Sequence, residues 1–195
     1  MITLTRAIAE AEPFRIHAGF PLRNGRGQLA GQVILPGTRY GLTVSFPAMT
    51  IDDAAALETD LELAKSEGLR IAVPLMGRPQ GAPGAPVVDG SGAAGTALPL
   101  RGLTPGHVIK KGYWLNVIDA AGVRCLHRAA AASVADGSGE AVLTLATPLR
   151  TVLADGDEVL LAKPTIEGVV TSDVRFPRPG NRIVSGLSFT LEESD

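Results

Sequence analysis

Tyr40, Leu42, Val44 and Phe46 alternate with Gly41, Thr43 and Ser45, the period-two pattern of a strand with one buried face. Pro47 ends that run. Thr50 then stands where an N-cap belongs, with Asp53 three residues on, an approximate capping box that sets acids at the positive end of a helix. Ala54, Leu57, Leu61 and Ala64 follow at helical spacing, and Gly68 closes the segment at the C-cap position. The pattern predicts a helix over 50–67. Leu69, Ile71, Val73 and Leu75 then alternate again, so the unit reads as a sheet covered by one amphipathic helix.

Beyond it, residues 77–86 hold three prolines and three glycines in ten positions, the composition of a linker. A run of short β patterns follows. Leu98 and Leu100 alternate, 113–118 is apolar, and Ala120-Ala121-Gly122 turns the chain into 123–127. Residues 129–134 lead to the turn Asp136-Gly137-Ser138-Gly139, after which 141–145 alternate; Asp155-Gly156-Asp157 precedes 159–161. Roughly six short strands in such a span fit a small barrel or compact sandwich, with Ala162-Lys163-Pro164 as its exit. The last strands, 167–173 and 183–192 around a loop at 175–182, need a partner sheet, and the N-terminal half offers one. The expected fold is mainly β with one prominent α-helix. A β-sandwich-like, discontinuous host domain (1–80 plus 165–195) carries an inserted small β domain (87–164). The alternative is one continuous β-rich fold with a long loop.

Composition adds one tension. Hydrophobic residues make up 45% of the 195, yet charged residues only 19%, and mean hydropathy is +0.20. That charge density is below the roughly 25% of ordinary soluble domains. It fits either a small, Ala- and Gly-rich protein or a surface partly buried against other subunits. The formal charge is −2 with pI near 5.9 and no Lys/Arg block, which argues against a basic nucleic-acid face or a polybasic membrane patch. No apolar run reaches transmembrane length. The first twelve residues carry Arg6 and Glu10 without an apolar core and do not read as a signal peptide. Cys125 is the lone cysteine, so neither an internal disulfide nor a cysteine zinc cluster can form; synthesis in a cytoplasm is the expectation.

Candidate chemistry is sparse. Gly90-Ser91-Gly92-Ala93-Ala94-Gly95 has dinucleotide-loop spacing, but the mechanism needs a strand before it and a helix after it; a linker precedes it and Pro99 follows. It reads as a turn-rich entry to the inserted domain. His17, His107 and His127 lie in separate segments with no i,i+4 pair, whereas a metal site needs converging ligands. Asp52/Asp53 and Asp155/Asp157 could each be proposed as a carboxylate pair, yet helix-start electrostatics explains the first and turn chemistry the second. Ser91 and Ser138 sit in Asp-Gly-Ser-Gly turns rather than a nucleophile elbow. Cys125 lies in an apolar strand, where a thiol is normally inert. Tyr113 beside Trp114 could form a sugar-stacking platform or belong to the core. No catalytic, cofactor-binding or metal-binding residue is assigned, and the chain is not expected to be an enzyme or to carry a cofactor.

Three blocks together carry a resemblance. The first is Arg39-Tyr40-Gly41-Leu42-Thr43-Val44-Ser45-Phe46-Pro47-Ala48-Met49-Thr50, a strand ending in Pro-x-Met before the helix. The second is Gly84-Ala85-Pro86-Val87-Val88-Asp89-Gly90-Ser91-Gly92-Ala93-Ala94-Gly95, followed by Leu98, Leu100 and Gly102. The third runs from Gly112-Tyr113-Trp114-Leu115 through Leu126-His127 and Ala135-Asp136-Gly137-Ser138-Gly139-Glu140-Ala141 to Pro148-Leu149-Arg150. With the closing Gly186-Leu187-Ser188-Phe189, the chain resembles the distal tail proteins of long, non-contractile-tailed bacteriophages and related prophages. It departs from that pattern after the helix, where a Gly-Arg-rich turn with an aromatic strand is expected and Gly68-Leu69-Arg70-Ile71-Ala72-Val73 stands.

The resemblance implies a structural virion protein at the tail tip, assembled in the host cytoplasm. Such proteins form a ring, commonly of six subunits, between the tail tube protein and the baseplate hub protein, with peripheral tail fibre proteins as further partners and DNA only in transit. No membrane is implied. A closing ring is built from heterologous interfaces, two different complementary faces per subunit, and edge strands unprotected by lysine pair productively between neighbours. The host domain would form the ring wall and the inserted domain project outward. Asp52, Asp53, Glu58, Asp60, Glu62 and Glu67 make the helix acidic; a polar face turned to the channel would repel passing DNA. Two other readings compete. One is a carbohydrate- or receptor-binding module around Tyr113 and Trp114, or a hub-like tail protein. The other is a hydrolase using Asp155 or Asp157.

Overall fold

The structure is a computed structural model that describes residues 1–16, 19–34, 37–75, 77–172, 176–177 and 182–194. Its strands and one helix follow in chain order: β1 (Ile2–Leu4), β2 (Glu10–Ile16), β3 (Gly19–Arg23), β4 (Leu29–Ile34), β5 (Arg39–Ser45), β6 (Met49–Thr50) and α1 (Ile51–Glu67). Then come β7 (Leu69–Ala72), β8 (Gly84–Val88), β9 (Ala97–Leu103), β10 (Val108–Ile109), β11 (Trp114–Ile118), β12 (Arg124–Arg128) and β13 (Ser133–Val134). The chain ends through β14 (Ala141–Thr144), β15 (Glu158–Leu160), β16 (Thr165–Val170), β17 (Ile183–Val184) and β18 (Ser188–Glu193). The protein is mainly β with one helix among the described residues.

Two compact units emerge, one of residues 1–14, 40–77 and 165–195, the other of 15–39 and 78–164. The first unit is thus discontinuous. Residues 15–39, placed with the host domain by the sequence, group with the second unit instead.

In the first unit six strands are ordered β1-β7-β16-β18-β5-β2. Helix α1 forms where the pattern placed it. The Thr50 side chain accepts from the Asp53 amide at 3.2 Å, and Gly68, at φ 80°, donates its N–H to the Ala64 carbonyl. Both ends therefore satisfy backbone groups a helix cannot satisfy internally. Ala54, Leu57, Leu61 and Ala64 are the buried face. They join Leu42, Val44, Leu69, Ile71, Ile166 and Leu191 in the core, where Phe46 stacks on Phe189 with ring centroids 5.8 Å apart. The tail strands pair as expected with the N-terminal half, β16 with β7 and β18 with β5.

One expected strand divides. Residues 183–192 hold two, because Gly186 adopts φ +73° and turns the chain. Before it β17 pairs with β6; after it β18 pairs with β5. The expected strand at 167–173 ends at Val170, and its last residue lies outside the described residues.

The second unit is built on an antiparallel sheet ordered β12-β11-β15-β8-β9-β14, with β10 and β13 as a separate pair. Its core gathers Val88, Leu98, Leu100, Leu115, Val117, Leu143, Val159 and Leu161. The linker is shorter than its composition suggests, since 84–86 already belong to β8. Proline lacks a ladder donor and is tolerated inside a sheet at bulges; the β8–β9 register shifts between Gly84 and Val87, and Pro86 sits in that shift. Aspartates anchor several turns: Asp136 Oδ1 accepts from the amides of Ser138 and Glu140, and Asp119 Oδ1 from those of Ala121 and Val123. This is the Asx-turn chemistry that Asp-Gly sequences signal.

Candidate functional site

The sequence-level candidates scatter. His17 lies outside the described residues. His107 keeps a buried Nε2 without a hydrogen-bond partner among the described residues. His127 is 1% exposed, facing the same side of the sheet as its register partner Leu115, and its Nδ1 lies 3.2 Å from Thr147 Oγ1. Cys125 is buried on the neighbouring strand position that shares this face. Among the described residues no group of three His, Cys, Asp or Glu side chains converges as a metal site would require.

Burial, with the Arg150 charge as a lesser cause, lowers the His127 pKa to about 4. Desolvation disfavours the imidazolium, so the folded state holds the neutral ring. The unfolded chain takes up that proton near the ordinary value of 6.5, and stability contributed by the neutral ring is complete above it. It is lost as pH falls towards 4, up to about 3 kcal/mol. Asp53, Asp136 and Asp155, all held below the ordinary carboxylate value of 3.8, lose their contribution only at more acidic pH. Urea unfolding of wild type and His127→Gln between pH 7 and 4 isolates the effect. The wild-type free energy should drop through this window and the variant's stay flat; parallel slopes would remove the assignment.

The carboxylate pairs have other employment. Asp53 accepts from the Thr50 hydroxyl at 2.7 Å, which with Arg6 holds its carboxyl low. Asp155 and Asp157 do not act together in one turn. Asp157 Oδ2 accepts from the Ala154 amide, but Asp155 reaches across to Arg101 and to the Gly90 amide at 2.8 Å. Arg101 also donates to Asp89 Oδ1 at 3.1 Å. The guanidinium, then the Gly90 N–H, hold the Asp155 carboxyl below the usual range.

That arrangement explains the glycine-rich loop. Its Gly90 amide is occupied by Asp155, its Gly92 amide donates to the Leu153 carbonyl, and Gly95 accepts from Leu149. Strand β9, not a helix, follows at Ala97. The pyrophosphate cradle, which depends on a helix N-terminus, is not built here.

Tyr113 and Trp114 are 7% and 8% exposed. The Arg78 guanidinium lies 5.6 Å from the Tyr113 ring centroid and that of Arg128 lies 5.1 Å from Trp114. Gln80 Nε2 donates to the Trp114 carbonyl at 2.8 Å. Both rings are core residues capped by cations, so the aromatic platform on which a glycan-binding reading rests is not open.

What the molecule does present is surface. The hairpin β3–β4 is exposed from Phe20 to Ala30, and it carries Phe20 at 55%, Leu22 at 45% and Leu29 at 68% exposure. Phe20 opposes Val33 and Leu22 opposes Gly31; by alternation Phe20, Leu22 and Val33 share one face. The turn is locked from within. Asn24 Oδ1 accepts from the amides of Arg26 and Gln28, Gly27 takes φ +76°, and Arg23 donates to the Gly27 carbonyl at 2.8 Å. The sequence reading missed this element, although Asn24-Gly25 is a strong short-range hairpin signal.

The first unit presents a groove along α1. Ile51, Ala54, Ala55 and Glu58 line one stretch with Phe176, Pro177 and Val184. Leu61, Glu62 and Lys65 continue it beyond Glu58 and Phe176. Spacings of three and four place all these helical residues on one face.

No helix of the described residues is long and apolar enough to cross a membrane. A comparison with protein-family models returns no match, and a search of curated proteins returns none either.

Proposed function

We propose that this chain is a structural subunit of a phage tail tip, forming a ring that joins the tail tube to the baseplate hub and peripheral fibres. The observation that carries the reading is the β3–β4 hairpin, an ordered arm with three large apolar side chains open to water. An exposed two-stranded ribbon is marginal by itself, and apolar surface of this kind marks an interaction site. Low charge density and a mainly-β fold with one capped helix support it, as does the resemblance to distal tail proteins. Polar side chains that looked chemical hold turns and strands together: Asp155 ties Arg101 to Gly90, and Asp136 closes its own turn. The protein acts by assembling, in the virion, and DNA only passes through it.

Protein composition of purified tailed particles from a lysate that produces this chain tests the reading. The chain should appear in fixed proportion to the tail tube protein, and antibody should label the tip. Particles that lack it would overturn the proposal.

A further inference from the structure

We infer that the β3–β4 hairpin of one copy docks into the α1 groove of the next copy, with the arginines of the arm facing the glutamates of the helix. The inference rests on the ring reading and specifies which two faces meet.

Charge is the first argument. The arm itself, 19–34, carries Arg23 and Arg26 and no acid, whereas 51–67 carry six acids against Lys65, of which Asp53 is paired with Arg6 and Glu67 with the N-terminal amine. So small a protein, near neutral overall, has placed one sign on the arm and the other on the helix. Such patches steer association and fix register.

Shape and polarity are the second. The groove is apolar at its Ile51, Ala54, Ala55, Pro177 and Val184 end, and at the other end Glu58 and Glu62 outnumber Lys65. The arm repeats that order, with Phe20 and Leu22 along its shaft and Arg23 and Arg26 at its turn. Laying the apolar shaft along the apolar stretch brings the arginines towards Glu58 and Glu62. Each subunit offers one arm and one groove, two different surfaces, which is the condition for a head-to-tail interface that closes into a ring.

Cysteine cross-linking reads the contact directly, because the native Cys125 is buried. Full-length Phe20→Cys and Ala55→Cys, each with its own affinity tag, replace side chains that are exposed. Mixed at the highest soluble concentration and oxidised, they should give a disulfide joining the two tags. Neither alone should cross-link comparably. In parallel, Arg26→Glu and Glu62→Lys should each weaken self-association at least tenfold by sedimentation, and the pair combined should recover most of it. Phe20→Ser with Leu22→Ser should weaken it while leaving the circular dichroism spectrum unchanged.

A chain that assembles yet gives no trans cross-link, and ignores both charge reversals, overturns the docking and leaves the ring reading intact. A chain that stays monomeric throughout overturns the docking as well. Absence from particles, read separately, overturns the ring reading itself.

Discussion

Gly168→Ala is expected to destabilise the first unit by at least about 3 kcal/mol, since no other glycine for which a Cβ contact is given would meet a backbone atom so closely. Gly168 lies in β16 between β7 and β18, opposite Leu69 on one side and Glu193 on the other. A Cβ there would sit well inside van der Waals contact of the Glu192 carbonyl oxygen and 2.6 Å from the Glu192 carbonyl carbon. Those are backbone atoms, so no side chain can swing away. Relief requires β18 to move off β16, which breaks the pairing of Val169 with Glu192 and Val170 with Leu191. It also disturbs Glu193, 2% exposed, whose Oε2 accepts from the Tyr40 amide at 3.2 Å. A buried carboxylate that loses a donor is destabilised. Hydrogen exchange at the β16 and β18 amides is the measurement, because Trp114, the chain's one tryptophan, lies in the second unit. Gly31→Ala, with nothing within 4 Å of its added carbon, is the control and should change stability by under about 0.5 kcal/mol. Protection in β16 unchanged from wild type would contradict the argument.

Trp114→Ala should cost the second unit about 3–5 kcal/mol. The indole is 8% exposed, opposes Arg128 in the β11–β12 register, and lies under that guanidinium. Truncation leaves a cavity and strips the Arg128 cation of its ring. Gln80, 3% exposed and already holding a buried Oε1 without a partner among the described residues, would lose the packing around its donated bond to the Trp114 carbonyl. Trp114→Phe keeps an aromatic face for Arg128 and should lose markedly less. Thermal unfolding followed by circular dichroism distinguishes the two variants. A ligand-stacking residue would behave oppositely, with stability retained and only binding lost. Near wild-type stability in Trp114→Ala would therefore restore the platform reading that the burial removes. It also follows that lost glycan binding in this variant would report unfolding unless stability were measured alongside.

Local patterns in the chain were reliable where neighbours in sequence settle the matter. The helix was legible because its cap, its buried face and its terminal glycine all act within a few residues: Thr50 on Asp53, Ala54 with Leu57 and Leu61, Gly68 on Ala64. Turns at Asp119 and Asp136 were legible for the same reason, each carboxylate bonding amides two and four residues on. Asp155 looked identical in sequence and behaves differently, since its partner Arg101 is fifty-four positions away. Gly186 gave no sign of dividing a strand, because its φ of +73° matters only once β17 has β6 and β18 has β5 to pair with.

By itself the amino-acid sequence determined the β character, the placement of α1 with its caps, and the opposite charges of 19–34 and 51–67. Alternation, helical spacing and capping act through bonds and contacts a few residues apart, so they can be read along one line. Only the tertiary structure decided that Tyr113 and Trp114 are sealed under arginines, that His127 is neutral in the core, and that the apolar residues of 20–29 stand in solvent. Burial and pairing depend on which distant strands share a register, and hydrophobic character has no direction until a sheet gives it one.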